Sequence, residues 1–160
     1  MKTYIFKHSL LGVILGLSIL GCTEGDKFDY NKNMAFITGT ETTPVTKFVV
    51  EDTPSSYAVT ASTTDKVDKD VNVKFAIDRS LVETYNNEHN TKYYAIPEGA
   101  VTLEDADAVI QAGKAFSTPA TVKVISTEDF AEGRVYVVPV TMVEVDGLEI
   151  LKPSKTIFLQ

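Results

Sequence analysis

Val71-Asn72-Val73-Lys74-Phe75-Ala76-Ile77-Asp78 alternates apolar and polar side chains with a period of two. Val71, Val73, Phe75 and Ile77 fall on one face of an extended chain and Asn72, Lys74 and Asp78 on the other, the pattern of a strand with one face on a core and one in water. The period then changes. Asp78 can cap a short helix over about residues 79–89, in which Leu81, Val82 and Tyr85 share a face, and the helix is expected to end near Asn90. Tyr93, Tyr94, Ile96 and Pro97 return to an extended pattern before the Glu98-Gly99 turn, so the helix reads as a crossover between strands.

Working outward from this stretch, β-branched and aromatic runs recur between turn signals. Met34–Thr38 and Thr46–Val50 flank a loop over residues 39–44, Tyr57, Val59 and Ala61 alternate, and Thr121–Ile125 forms another short run. Val135–Val145 is apolar on both faces, as a strand central to the domain would be. Asp146-Gly147 marks a turn, a short run follows at Leu148–Leu151, and Lys155–Leu159 supplies the last strand beyond Pro153. Several short strands with intervening turns predict an all-β sandwich carrying one short crossover helix. The domain is expected to span residues 34–160.

The N-terminal segment has a different composition. Lys2 and Lys7 precede the apolar run Ser9–Leu20, the layout of a signal peptide over residues 1–21. A permanent membrane span needs roughly 20 apolar residues, so the run is too short for one. Ile19-Leu20-Gly21-Cys22 resembles a bacterial lipobox, although Leu20 is bulkier than the usual Ala or Ser. It makes Cys22, the single cysteine of the chain, the expected site of lipidation and of membrane attachment. Residues 22–33 are polar and acidic and read as a flexible tether. The acid-containing Thr23-Glu24-Gly25-Asp26 favours a surface-exposed outer-membrane lipoprotein as the location.

Charge and residue inventory exclude several functions. Loss of Lys2 and Lys7 with the leader takes the net charge from −7 to −9, which argues against nucleic-acid binding through a basic patch. With Cys22 acylated no thiol remains for a disulfide or a metal. The one histidine outside the leader, His89, sits at the expected helix end and reads as a solvated C-terminal residue. Nucleophilic triads therefore have no base to build on. Asp65, Asp68 and Asp70 crowd one segment and Glu104, Asp105 and Asp107 another, but neither has EF-hand spacing, and solvated acidic loops are the preferred reading over Ca²⁺ sites. The chain also lacks the clustered-acid strand motif of the family-eighteen glycosidases, and no catalytic residue, metal or cofactor is expected.

Sugar recognition relies on aromatic faces stacked on pyranose rings, with polar neighbours bonding the hydroxyls. The chain has no Trp. Tyr93 and Tyr94 are adjacent in an extended segment, so one points inward and the other outward. The outward ring, with Asn86 and Asn87 and the nearby Asn90, forms the candidate binding patch, against the alternative that both tyrosines only pack the helix onto the sandwich.

Val71–Asp78, Leu81-Val82, Tyr85-Asn86, Tyr93–Pro97, Ile110–Gly113 and Tyr136–Val140 occur in an order that resembles a Bacteroidota domain-of-unknown-function family, number seventeen thirty-five. The resemblance covers roughly residues 36–159. That family includes the N-terminal domain of certain lipoprotein endo-β-N-acetylglucosaminidases. The resemblance implies an immunoglobulin-like β-sandwich on a lipoprotein of a polysaccharide-utilisation system, and it supplies no catalytic residue. Family members often carry a downstream lectin-like, discoidin-like or glycosidase domain, and the chain ends at Gln160, where one would begin, so a lone module is expected. The implied function is a non-catalytic accessory or glycan-binding module, with a glycan, an outer-membrane transporter or a glycosidase as partners. The alternatives are a structural spacer or protein-docking domain, or the N-terminal fragment of a multidomain glycosidase or lectin-like protein.

Overall fold

Strand Val135–Val145 organises the molecule. Its central six residues, Val137–Met142, are all buried, so neither face meets water. The computed structural model describes residues 32–160; the expected signal peptide, the acylation site Cys22 and the tether as far as Asn31 lie outside the described residues. Along the chain the elements are β1 (Met34–Ile37), β2 (Val45–Thr46), β3 (Ser55–Val59), β4 (Ala61–Thr63), β5 (Val71–Ile77), α1 (Leu81–His89), β6 (Tyr93–Ala95), β7 (Val101–Glu104), β8 (Asp107–Ile110), β9 (Ala120–Val124), β10 (Val135–Val145), β11 (Glu149–Ile150) and β12 (Thr156–Leu159).

One sheet has the order β2-β12-β10-β5-β8, and β6 adds to the start of β10 in parallel. The facing layer is built from β11-β1-β4 and β3-β9-β7. β3 and β4 are consecutive and separated only by Thr60, whose carbonyl accepts the Thr38 amide at 2.9 Å, so together they form one bent strand. Between the layers lies a single core that includes Val73 and Phe75 of β5, Val122 and Val124 of β9, Val138 and Val140 of β10, and Ile157 and Leu159 of β12. The fold is an immunoglobulin-like β-sandwich with one short helix.

The decisive stretch behaves as its period requires. In β5, Val71, Val73 and Phe75 are buried while Asn72 and Lys74 are exposed. At its end the Asp78 carboxylate accepts the Ser80 amide at 3.1 Å and the Ser80 hydroxyl at 2.6 Å, turning the chain into α1. Asn90 closes the helix in the left-handed conformation at φ 53°. Leu81, Val82 and Tyr85 face Val137, Phe158 and Ala95, so α1 covers the outer side of the large sheet with a second apolar cluster.

Two elements differ from their sequence reading. The strand expected over Thr46–Val50 is reduced to Val45–Thr46, opposite Phe158 and Leu159 of β12; past it the pairing thins to the Gln160 amide on the Thr46 carbonyl at 2.9 Å and the Phe48 amide on the Gln160 carbonyl at 2.6 Å. The acidic segment Glu104-Asp105-Asp107 is not an open loop. Glu104 ends β7, which pairs with β9, and Asp107 begins β8, which pairs with β5, so the chain changes sheets at Asp105, held at φ 53°. Among the described residues, Lys32 is paired with Glu149, and the Asn33 side-chain oxygen accepts the Asp65 amide at 3.0 Å.

Candidate functional site

β6 and the start of β10 run parallel with Tyr93 opposite Val135, Tyr94 opposite Tyr136 and Ala95 opposite Val137. Alternation then sorts the side chains. Tyr93 turns toward α1 and joins the cluster around Val82 and Phe158, while Tyr94 faces the other way and is 42% exposed. Asn86 belongs to the helix side and is committed there. Its amide donates to the Tyr93 carbonyl at 2.8 Å, and its side-chain oxygen accepts the Tyr93 amide at 2.9 Å and the Thr91 hydroxyl at 2.8 Å. Asn87, one residue on, is exposed. The structure therefore brings Asn86 and Tyr93 together as a clamp between helix and strand, and places Tyr94 on a separate surface.

That surface was not evident from the sequence. The Tyr94 and Tyr136 rings lie 6.0 Å apart, and Phe130 stacks on Tyr136 at 4.4 Å with 26° between the planes. The Arg134 guanidinium carbon sits 4.5 Å from the centre of the Tyr94 ring, a cation–π contact that fixes a long side chain at an exposed site. The Tyr136 hydroxyl accepts the Ala131 amide at 3.0 Å, which ties the loop over residues 126–134 to the ring it covers. Gly133, at φ 76°, makes the turn that returns the chain to β10.

Phe130, Arg134 and Tyr136 line an open groove of about 380 Å³, and Tyr94 stands beside it against Tyr136 and Arg134. Its floor is the end of the sandwich core, with Ile96, Val124, Val138 and Leu159 all buried beneath it. Phe48 closes the opposite side, its ring tilted against Tyr57 at 5.5 Å. A groove of this size with an aromatic rim and a few polar groups is in the range that holds a small ligand. Among the described residues, its lining carries no His, Cys, Asp or Glu. His89 stacks on Tyr85 at 4.2 Å on the helix side. Burial, and secondarily the neighbouring Tyr93, push the Tyr85 phenol above its ordinary pKa.

Two of the acidic groups serve the backbone. Asp70 accepts the Ala112 amide at 2.8 Å and Asp65 accepts the Lys66 amide at 2.7 Å. Among the described residues no three His, Cys, Asp or Glu side chains converge on a point where a cation could sit, and no helix is long and apolar enough to cross a membrane.

A family model for an N-terminal domain matches residues 30–149, and a multidomain protein from Bacteroides ovatus that includes domain of unknown function 1735 shares the fold, at 17% identity and a TM-score of 0.52 over 72% of this chain and 38% of that one. The chain belongs to family seventeen thirty-five. Other members of this structural group include a candidate carbohydrate-binding protein from Bacteroides ovatus, at 19% identity and a TM-score of 0.69 over 79% of this chain and 36% of that one. EndoBT-3987 from Bacteroides thetaiotamicron, solved with a Man5GlcNAc product, is similar at 19% identity and a TM-score of 0.59 over 79% of this chain and 29% of that one. The chain thus spans well under half the length of these structures, and at such identities the likeness establishes the fold. No curated protein sequence matches the chain.

Proposed function

We propose that this family member is a non-catalytic glycan-binding accessory module of a surface lipoprotein that serves polysaccharide utilisation. The observation that carries the reading is the stacked pair Phe130 and Tyr136 lining a groove floored by core side chains, with Tyr94 beside Tyr136. A pyranose presents an apolar face of axial C–H groups, and aromatic rings accept that face while displacing poorly bound water. The rings are held in advance by β6–β10 pairing and by the Tyr136–Ala131 hydrogen bond, so little ordering entropy is spent on binding. The similarity to a candidate carbohydrate-binding protein and to EndoBT-3987 supports a glycan context.

Two experiments test the parts separately. In affinity gels containing plant or host glycans, the full chain in mild detergent should be retarded by at least one polymer, and Tyr136→Ala with Phe130→Ala should abolish the retardation; unretarded migration in every gel would overturn the binding reading. Cys22 acylation holds the module on the membrane in this proposal. Metabolic labelling with palmitate should mark the chain and fail to mark Cys22→Ala, and a parent chain without label would refute the anchor.

A further inference from the structure

We propose that the groove selects carboxylated sugars, an inference that rests on the glycan-binding reading and narrows it to uronate- or sialate-type oligosaccharides. The whole chain carries a net charge of −7, yet both charged side chains that line the groove, Lys47 and Arg134, are cations. Neither makes an ion pair or a side-chain hydrogen bond among the described residues, whose ion pairs are Lys32–Glu149, Lys74–Asp107 and Lys123–Glu104. The acids of the adjoining loop, Glu128, Asp129 and Glu132, are exposed and do not line the groove.

Arg134 is also positioned. Its guanidinium lies over the Tyr94 ring at 4.5 Å, which restrains the side chain, and the residue is exposed. A planar fork held in this way suits the two oxygens of a carboxylate, which it can bind through paired N–H···O bonds. Tyr136 and Phe130, stacked on each other beside it, bring aromatic surface into the groove for the sugar that bears the carboxylate. Apolar stacking and a fixed cation within one groove match an acidic pyranose and give a neutral one only half of the contacts.

Titration calorimetry with the full chain tests this, using trigalacturonate and sialyllactose as probes and their methyl esters as neutral copies of the same shape. At least one acid should bind about tenfold more tightly than its ester, the size of effect one charge-assisted pair supplies. The comparison of the two acids distinguishes uronate from sialate. Added salt should erode the preference, Arg134→Gln and Lys47→Gln should each reduce it, and Arg134→Lys should restore part of it, because the charge returns without the fork. Thermal melts confirm that these exposed-site variants are folded. Equal affinity for acid and ester overturns the charge inference while leaving glycan binding standing. No binding of any of these probes overturns the carboxylate inference, while retardation in the affinity gels decides glycan binding on its own. Concentration-dependent self-association that Arg134→Gln abolishes would make the groove a contact between copies and likewise overturn the inference.

Discussion

Phe75→Ala should lower the unfolding free energy by about 3–5 kcal/mol, the range for removing a buried aromatic ring and leaving its cavity behind. Phe75 is 2% exposed and its backbone is fixed from both sides, opposite Met142 of β10 and by its N–H donating a hydrogen bond to the Ala106 carbonyl at 2.9 Å. The void therefore has little freedom to collapse. Since small domains are stable by only about 5–15 kcal/mol, much of the folded population at physiological temperature depends on this one ring. Urea unfolding followed by circular dichroism reads the effect directly. Phe116→Ala is the internal control: that ring is 62% exposed and its loss should change stability by less than about 0.5 kcal/mol. A loss under about 1 kcal/mol at Phe75 would show that the two layers are not closed on each other there.

Asn86→Ala should cost about 2–3 kcal/mol, for a different reason. Three hydrogen bonds vanish at once, and the Tyr93 amide and carbonyl are left without the partner they have in the native turn. The damage should be local. Hydrogen exchange at Thr91, Tyr93 and the last turn of α1 should accelerate, while exchange in β5 and β9 stays slow. Asn86→Asp keeps the acceptor and loses the donor to the Tyr93 carbonyl, so it should fall between the parent and Asn86→Ala. Uniform acceleration across both sheets would contradict a clamp confined to helix and β6.

Those two residues also mark what could be read from the amino-acid order. Phe75 was legible because its neighbours alternate, and alternation across a half-buried strand follows from the pleat alone. The same physics exposed α1 through Leu81, Val82 and Tyr85, β10 through apolar residues on both of its faces, and the opposite directions of Tyr93 and Tyr94. β7 and β8 went unrecognised as strands because Glu104, Asp105 and Asp107 dominate the local charge, and the inward residues Val101, Leu103, Ala108 and Ile110 are split between two different sheets. Asn86 was singled out for the wrong surface: residue type suggests hydrogen bonding, but only the path of the chain after Asn90 shows that its partners are Tyr93 and Thr91. The groove was hidden for a further reason. Phe130 is embedded in an acidic loop, Tyr136 reads as one more residue of an apolar strand, and Arg134 meets Tyr94 across a gap in sequence that no local pattern spans.

The bent strand β3–β4 gives the domain a polarity. Its first residue, Ser55, is paired with Val124 at the floor of the groove, and its last, Thr63, is paired with Ala35, next to the point where Asn33 fastens the incoming chain to Asp65. Entry point and groove are thus set at opposite poles, up to about 30 Å apart for nine extended residues. The described chain therefore enters the sandwich at one end, and the groove opens at the other.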